Sequence, residues 1–575
     1  MGKRSSAPSD NIGKAAYRRK LLKRIFFGST ISQILFRGYL LIVILGSIFL
    51  YLPISIQAHN GQKYMMVVDN DGKTDPYTFW DSLFITISAL TNTGLSPAII
   101  SRTMTIFGQV VMLILMEIGG LGLLTIVFLV WNMFKRGENQ VNINQLIMLQ
   151  SERGQQKVSG TLKSLRTCVA FILICQVFFC LLYTFWLCWY PHIYEQISPI
   201  PGDYTVGMNS ALTIDDKAHH YSSYHNFPSA LWQGLFFSIS CINNAGFDNF
   251  NNGVSLAALR NDWNVIFQLF VLCELFLGGI GFPVIYDFIC AIKAKRKKQP
   301  FSFSLFTKVA LTSYFLFTIV GLILAFGFEF ADKTYHLVYP PTGEHFFYLD
   351  VYDIAHYVDA YKQKAIPPGI VPAVPAFGKN EMFNKCFAIF FNTCATRSAG
   401  FSTVNCSIFS GGLTWTFTVL MFIGASPSST GGGIRCTTLF IIFLTMFSRL
   451  IGRNEVRIFK RRISEKTIHD SFFIIFIAFA LILFCAVLLY YCHPLVNENQ
   501  SAYNVQQCLF EVSSAFGTVG FSVGVTAIMN NVGLVILCIV MFIGQIGISA
   551  AILSWTRRVP RGNRIHYPEE DVRIG

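Results

Sequence analysis

The chain has 575 residues, of which 53% are hydrophobic, 15% aromatic and 13% charged, with a formal net charge of +14. A soluble domain carries about 25% charged residues, and no water-soluble interior of this size hides so much apolar surface. A mean hydropathy of +0.49 therefore excludes a soluble enzyme or nucleic-acid-binding domain and implies a polytopic membrane protein.

In chain order, residues 1–33 form a basic segment with no apolar run of the kind a secretion signal needs. One grammar then recurs four times: an apolar stretch, a shorter amphipathic segment ending in Asn, Thr or Ser and then Gly, and a Gly-rich apolar stretch. The first unit, 34–136, holds Gly38–Leu52, Trp80–Gly94 and Thr105–Asn132. The second, 166–292, holds Val169–Tyr190, Ala230–Gly246 and Trp263–Ile292. The third, 308–449, holds Val309–Phe328, a long loop at 331–379, Met382–Gly400 and Thr414–Phe447. The fourth, 471–555, holds Ser471–Cys492, Val505–Gly520 and Val532–Trp555, and a tail follows at 556–575. The expected fold is all-α, with eight full spans and four shorter helices in four repeated units.

Lys and Arg sort by side. The N-terminal segment, the tail and the loops on their side hold 33, the alternate loops 7. By the positive-inside rule both termini are cytoplasmic. Each short segment is entered from and left toward a basic-poor outer loop, and eleven helical residues cover about 17 Å, roughly half of the hydrocarbon thickness. The segments must dip in and return. Irregular backbone at that depth is tolerated only where it lines a cavity, so four of them around one axis make a pore whose half-helix C-termini favour a cation. The carbonyls of Asn92 and Thr93, Asn244 and Ala245, Ser398 and Ala399, and Thr518 and Val519 then replace part of its hydration shell. Gly94, Gly246, Gly400 and Gly520 follow them, supplying φ > 0 and an open lumen. The fifteen cysteines show no metal or disulfide pattern.

These four segments, with Thr-Asn-Thr-Gly94, Asn-Asn-Ala-Gly246, Thr-Arg-Ser-Ala-Gly400 and Gly-Thr-Val-Gly520, resemble the Trk/Ktr/HKT superfamily of potassium transporters, most of all its bacterial KtrB and TrkH membrane subunits. The resemblance implies potassium uptake at the cell membrane, with K⁺ as cargo, sodium as a candidate modulator and no bound cofactor. It further implies a homodimer gated by a cytosolic nucleotide-binding ring subunit of the KtrA or TrkA type. Glycine at all four positions goes, in that family, with selectivity for K⁺ over Na⁺.

The third Gly-rich stretch carries Gly424-Ala425-Ser426-Pro427-Ser428-Ser429-Thr430-Gly431-Gly432-Gly433, which cannot stay helical. It lacks the Gly-Lys-Ser/Thr ending of a phosphate-binding loop. A flexible loop under the filter is a natural gate, and the resembled family carries a gating loop there. Two positions depart from the family: Arg435 stands where Lys is usual, and Gln545 where an Arg sits under the filter. Gln545 keeps open the alternative of a poorly selective Na⁺/K⁺ pathway. Glu117 and Glu274 are intramembrane carboxylates, read either as attracting cations, with Arg435 as a partner, or as helix-to-helix hydrogen bonds. Arg397 is expected to brace the filter from behind.

Overall fold

The structure is a computed structural model. It describes residues 31–56, 77–98, 100–122, 125, 161–189, 226–249, 265–331, 381–397, 399–403, 406, 409–453, 455–492, 495–497, 500–501 and 504–548. The N-terminal segment through residue 30, nearly all of the long loop at 331–379, the tail at 556–575 and the candidate filter residue Ser398 lie outside the described residues.

The described chain is mostly helical. The first unit holds α1 (Ile31–Tyr51), α2 (Phe79–Leu90) and α3 (Ile106–Leu121), and the second α4 (Thr161–Trp189), α5 (Phe227–Ile242), α6 (Val265–Gly279) and α7 (Phe282–Arg296). The third holds α8 (Leu305–Ala331), α9 (Glu381–Ala395), α10 (Gly411–Phe422) and α11 (Cys436–Leu450). After a two-stranded hairpin, β1 (Arg457–Ile458) and β2 (Arg461–Arg462), come α12 (Glu465–Cys492), α13 (Val505–Gly517) and α14 (Asn531–Ile546).

Among the described residues, Ser164–Trp189, Leu305–Ala331 and Glu465–Cys492 are long and apolar enough to cross a membrane, and α6 with α7 passes as a pair bent by 101°. Their outward faces suit a hydrocarbon solvent: Ile174, Ile323 and Phe476 are 68%, 67% and 74% exposed, a cost that only lipid removes.

The short helices α2, α5, α9 and α13 have 12, 16, 15 and 13 residues. Their starts are fixed locally. Thr78 and Asp81 form a reciprocal capping box at α2, Asn504 and Gln507 do the same at α13, and Asn226 caps α5. Each short helix packs between neighbours of its own unit: α1 and α3 flank α2, α4 and α6 flank α5, α8 contacts α9, and α12 and α14 flank α13. Between units, four contacts run in a cycle, α3 against α5, α6 against α9, α10 against α13, and α14 back against α2. Near the C-terminal end of α8, Glu329 ties that helix to its neighbours through Lys385 Nζ at 2.8 Å and the Ser410 amide at 3.0 Å.

Close approach within the units depends on glycine. A methyl group on Gly119, Gly278 or Gly544 would lie 2.2, 2.2 or 2.0 Å from the carbonyl oxygen of Leu90, Ile242 or Phe516. Each of the helices α3, α6 and α14 thus leans its glycine on the last turn of the preceding helix of its own unit. Gly278→Ala is expected to cost about 1–3 kcal/mol, read as a lowered melting temperature in detergent. Gly327→Ala in α8, where a methyl meets nothing within 4 Å, is expected to leave melting unchanged or slightly raised.

Candidate functional site

Three of the short helices end in the same way. Asn92, Asn244 and Thr518 are left-handed, with φ of 52°, 55° and 49°. The amide after each reaches back five residues: Thr93 to Ser88 O and Ala245 to Ser240 O at 2.8 Å, Val519 to Ser514 O at 2.9 Å. This is a Schellman closure with Asn or Thr where Gly is commoner. The third unit departs from it, since the Ala399 amide bonds Ala395 O at 3.0 Å.

The glycines that follow converge. A methyl on Gly94 would lie 2.6 Å from Ala245 O, one on Gly246 2.8 Å from Gly400 N, one on Gly400 2.6 Å from Val519 O, and one on Gly520 2.1 Å from Thr93 O. The four backbones therefore touch in sequence order and the fourth closes on the first. Gly94, Gly246 and Gly520 have φ of 90°, 73° and 98°. Gly400 lies outside the left-handed region, which corrects the expectation of φ > 0 at all four: lack of space alone excludes a side chain there. Leu95, Phe247, Phe401 and Phe521, each next in the chain, are buried. Phe401 packs on Phe237 and Phe521 on Phe417, with ring centroids 5.0 and 6.1 Å apart.

The sequence from Ile423 to Arg435 is non-helical between α10 and α11 and runs directly beneath these ends. On one side the Ser426 amide bonds Gly279 O at 3.2 Å, the Thr430 amide bonds Gly278 O at 3.4 Å, and the Phe282 amide bonds Ser428 O at 3.1 Å. A methyl on Gly281 would lie 2.6 Å from Pro427 O, so the loop occupies the bend between α6 and α7. On the other side the Gly433 amide bonds Gly544 O at 3.1 Å and Gln545 Nε2 donates to Thr430 O at 3.2 Å. Two contacts reach the segments above: Asn244 Nδ2 donates to Thr430 Oγ1 at 2.7 Å, and the Gly432 amide donates to Thr518 Oγ1 at 2.6 Å. Ala425 and Gly424 start the loop, with Ala425 O accepting from the Cys436 amide at 3.2 Å. Ser429 is buried, and Arg435 donates to Gly431 O.

Arg397 is fully buried and donates to Ile423 O at 2.7 Å and Gly424 O at 3.1 Å, with its guanidinium 5.2 Å from the centre of the Tyr314 ring. It satisfies carbonyls left open where α10 stops, so it braces the root of the loop as well as the segment that carries it. Glu117 accepts from Gln176 at 3.0 Å and Asn243 at 2.7 Å, and Glu274 from Tyr183 at 2.7 Å and Ser238 at 2.8 Å. Both make helix-to-helix bonds, and Arg435 partners neither in these contacts.

Sequence reasoning passed over Glu511. Its fully buried carboxylate accepts from Ser522 Oγ, from the Val523 amide at 3.2 Å and from Thr526 Oγ1 at 3.0 Å, which holds the chain just beyond Gly520. Asn392 does the same in the third unit, exchanging two 3.3 Å bonds with Thr403. An acidic residue inside an apolar segment was the available signal. At the β1–β2 hairpin, Glu455 bonds Arg457 and Arg462, and Arg457 holds its carboxyl below the usual range.

Residues 23–567 match the TrkH family model, described as a cation transport protein. The chain belongs to this family. It is 33% identical over 584 residues to an uncharacterized cation transporter of Mycoplasma pneumoniae, covering 98% of this chain and 100% of that one. It is 28% identical to the Ktr system potassium uptake protein D of Bacillus subtilis, covering 87% and 90%. The crystal structure of the potassium transporter TrkH from Vibrio parahaemolyticus shares the fold, with a TM-score of 0.52, 13% identity and coverage of 84% and 79%. As a member of a cation transport family, the chain is a membrane transporter and not an enzyme.

Glu511→Gln puts an N–H donor against groups that already donate. The expected loss is about 1–3 kcal/mol, seen as a lowered melting temperature in detergent; melting equal to wild type would contradict the bracing role.

Proposed function

We propose that this chain takes up potassium across the cytoplasmic membrane through one pore, formed by four units that together supply eight full spans and four re-entrant half-helices. The observation that carries the proposal is the closed contact of Gly94, Gly246, Gly400 and Gly520 above a loop that crosses beneath them. Backbone carbonyls of Asn92, Thr93, Asn244, Ala245, Ser398, Ala399, Thr518 and Val519 replace part of the ion's water. The names of the relatives, potassium uptake protein D and potassium transporter TrkH, support K⁺ as the cargo.

The loop Gly424–Gly433 acts as the gate. It is held to the second and fourth filter segments by one hydrogen bond each, Asn244 to Thr430 and Gly432 to Thr518, and otherwise by bonds to Gly278, Gly279, Phe282, Gly544 and Gln545. Uptake needs no coupled ion: an inside-negative potential supplies about 2.3 kcal/mol per charge per 100 mV, enough for roughly a 50-fold gradient. Both termini face the cytoplasm. The protein works as a homodimer with a cytosolic nucleotide-binding ring, which docks on the basic stretches Lys293–Lys298 and Arg449–Lys466. A poorly selective cation pathway is the second reading, favoured by the neutral Gln545 beneath the segments.

Expression in a cell lacking its own K⁺ uptake, with and without a candidate ring subunit, tests the assignment: growth at low K⁺ is expected, and its absence with the protein correctly inserted would refute it. Deleting Ser426 to Gly432 is expected to raise cation flux and loosen dependence on the ring. Gly94→Ser puts a side chain against Ala245 O and is expected to relax the preference for K⁺ over Na⁺; unchanged relative uptake of the two ions would remove Gly94 from the filter.

A further inference from the structure

The residue six before the filter glycine is Ser88, Ser240, Cys394 and Ser514 in the four units. In the first, second and fourth units it sits in the same local backbone. Its carbonyl accepts the five-residue closure, the next carbonyl, of Ala89, Cys241 or Ala515, accepts from the left-handed residue at 3.2, 2.9 or 3.2 Å, and the filter glycine has φ > 0. All three serines are fully buried. The carbonyl before the filter glycine is also set alike in these units. Ala245 O, Val519 O and Thr93 O each lie where a methyl on the filter glycine of the preceding unit in the cycle would stand.

A peptide unit is planar and trans, so its C=O and N–H point in opposite directions. Turning Thr93 O, Ala245 O or Val519 O onto the neighbouring backbone therefore turns the amide of Gly94, Gly246 or Gly520 back toward its own half-helix, where the serine stands. In the fourth unit the bond is made: the Gly520 amide donates to Ser514 Oγ at 3.0 Å. In the first two it is not, and Ser88 Oγ and Ser240 Oγ are buried with no hydrogen-bond partner among the described residues. A buried hydroxyl without a partner is costly, and the shared backbone brings the glycine amide to within a small turn of it. The third unit lacks the arrangement. Cys394 offers a thiol, a weak acceptor, the five-residue closure is missing, and a methyl on Gly246 meets the Gly400 amide where the other units present a carbonyl.

We propose that Ser88, Ser240 and Ser514 are positioning residues of the filter: each hydroxyl takes the amide of its own filter glycine and so holds the carbonyl of Thr93, Ala245 or Val519 on the ion. The proposal rests on the pore reading above. Ser514 holds its carbonyl in advance, whereas Ser88 and Ser240 close as a cation draws Thr93 O and Ala245 O onto itself. Cation binding and the two serine bonds then favour one another by the same factor. The third segment, with no such hold, is the compliant member of the ring.

Rb⁺ uptake by the full chain in proteoliposomes, together with melting in detergent in K⁺-free choline chloride, separates this role from packing. Ser88→Ala and Ser240→Ala remove no bond present in the structure, so melting is expected to stay as in wild type. The half-saturating Rb⁺ concentration is expected to rise about fivefold in each, the loss of one hydrogen bond to the ion-bound form. Ser514→Ala is expected to raise it by a similar factor and to lower melting as well, because its bond is already made. Cys394→Ala is expected to leave the half-saturating concentration unchanged. Saturation unmoved by Ser88→Ala and Ser240→Ala, moved only with a matching loss of melting temperature, or moved equally by Cys394→Ala would overturn the serine role and leave the pore reading standing. No saturable Rb⁺ uptake by wild type would overturn both.

Discussion

Backbone that leaves a helix inside a membrane must find new partners for its amides and carbonyls, because lipid offers none. In this chain the problem is met four times at one place. Schellman closures at Asn92, Asn244 and Thr518 return some of the freed groups to the helix they came from. The remaining carbonyls sit where the next segment leaves room, and that room exists because Gly94, Gly246, Gly400 and Gly520 carry no side chain. The helices α3, α6 and α14 meet the same constraint one layer out, pressing Gly119, Gly278 and Gly544 on the last carbonyls of α2, α5 and α13. On the proposed reading a cation in the centre completes the set of partners, and the need for satisfied backbone and the transport become one requirement.

The third unit pays for its broken helix differently from the others. Where α10 stops, a buried guanidinium takes up the free carbonyls of Ile423 and Gly424, and the loop then borrows partners from the second and fourth units. The loop is therefore a structure held by its neighbours, with Arg397 fixing its root, Gly278, Gly279 and Phe282 bonded to it on one side, and Gly544 and Gln545 on the other.

Local signals made part of this legible. Pro427 and three consecutive glycines forbid a helix through 431–433, and the structure ends α10 at Phe422 and resumes at Cys436. The short amphipathic stretches between turn residues are likewise helical, at 12 to 16 residues each. What the sequence hid were partnerships at long range. Glu117 meets Asn243, 126 residues away, and Arg397 meets Ile423, 26 residues away; no periodicity links such positions. Gly400 looked like its three counterparts, yet its backbone differs because Ala399 bonds Ala395 and the five-residue closure is missing. Glu511 was readable in principle, as a charge in an apolar segment, but its role depends on a chain reversal that brings residues 522–526 back onto the helix.

The central claim is that four touching backbones, and not a mobile carrier, select and pass the ion. A reversal-potential measurement on the purified chain in a planar bilayer, with K⁺ on one side and Na⁺ on the other, bears on it most directly. The account expects a current that reverses only at a potential strongly negative on the K⁺ side, as a pathway that passes K⁺ and excludes Na⁺ requires. Reversal near zero, with the two ions passing equally, or a flux that requires a fixed ratio of a second solute, would contradict it.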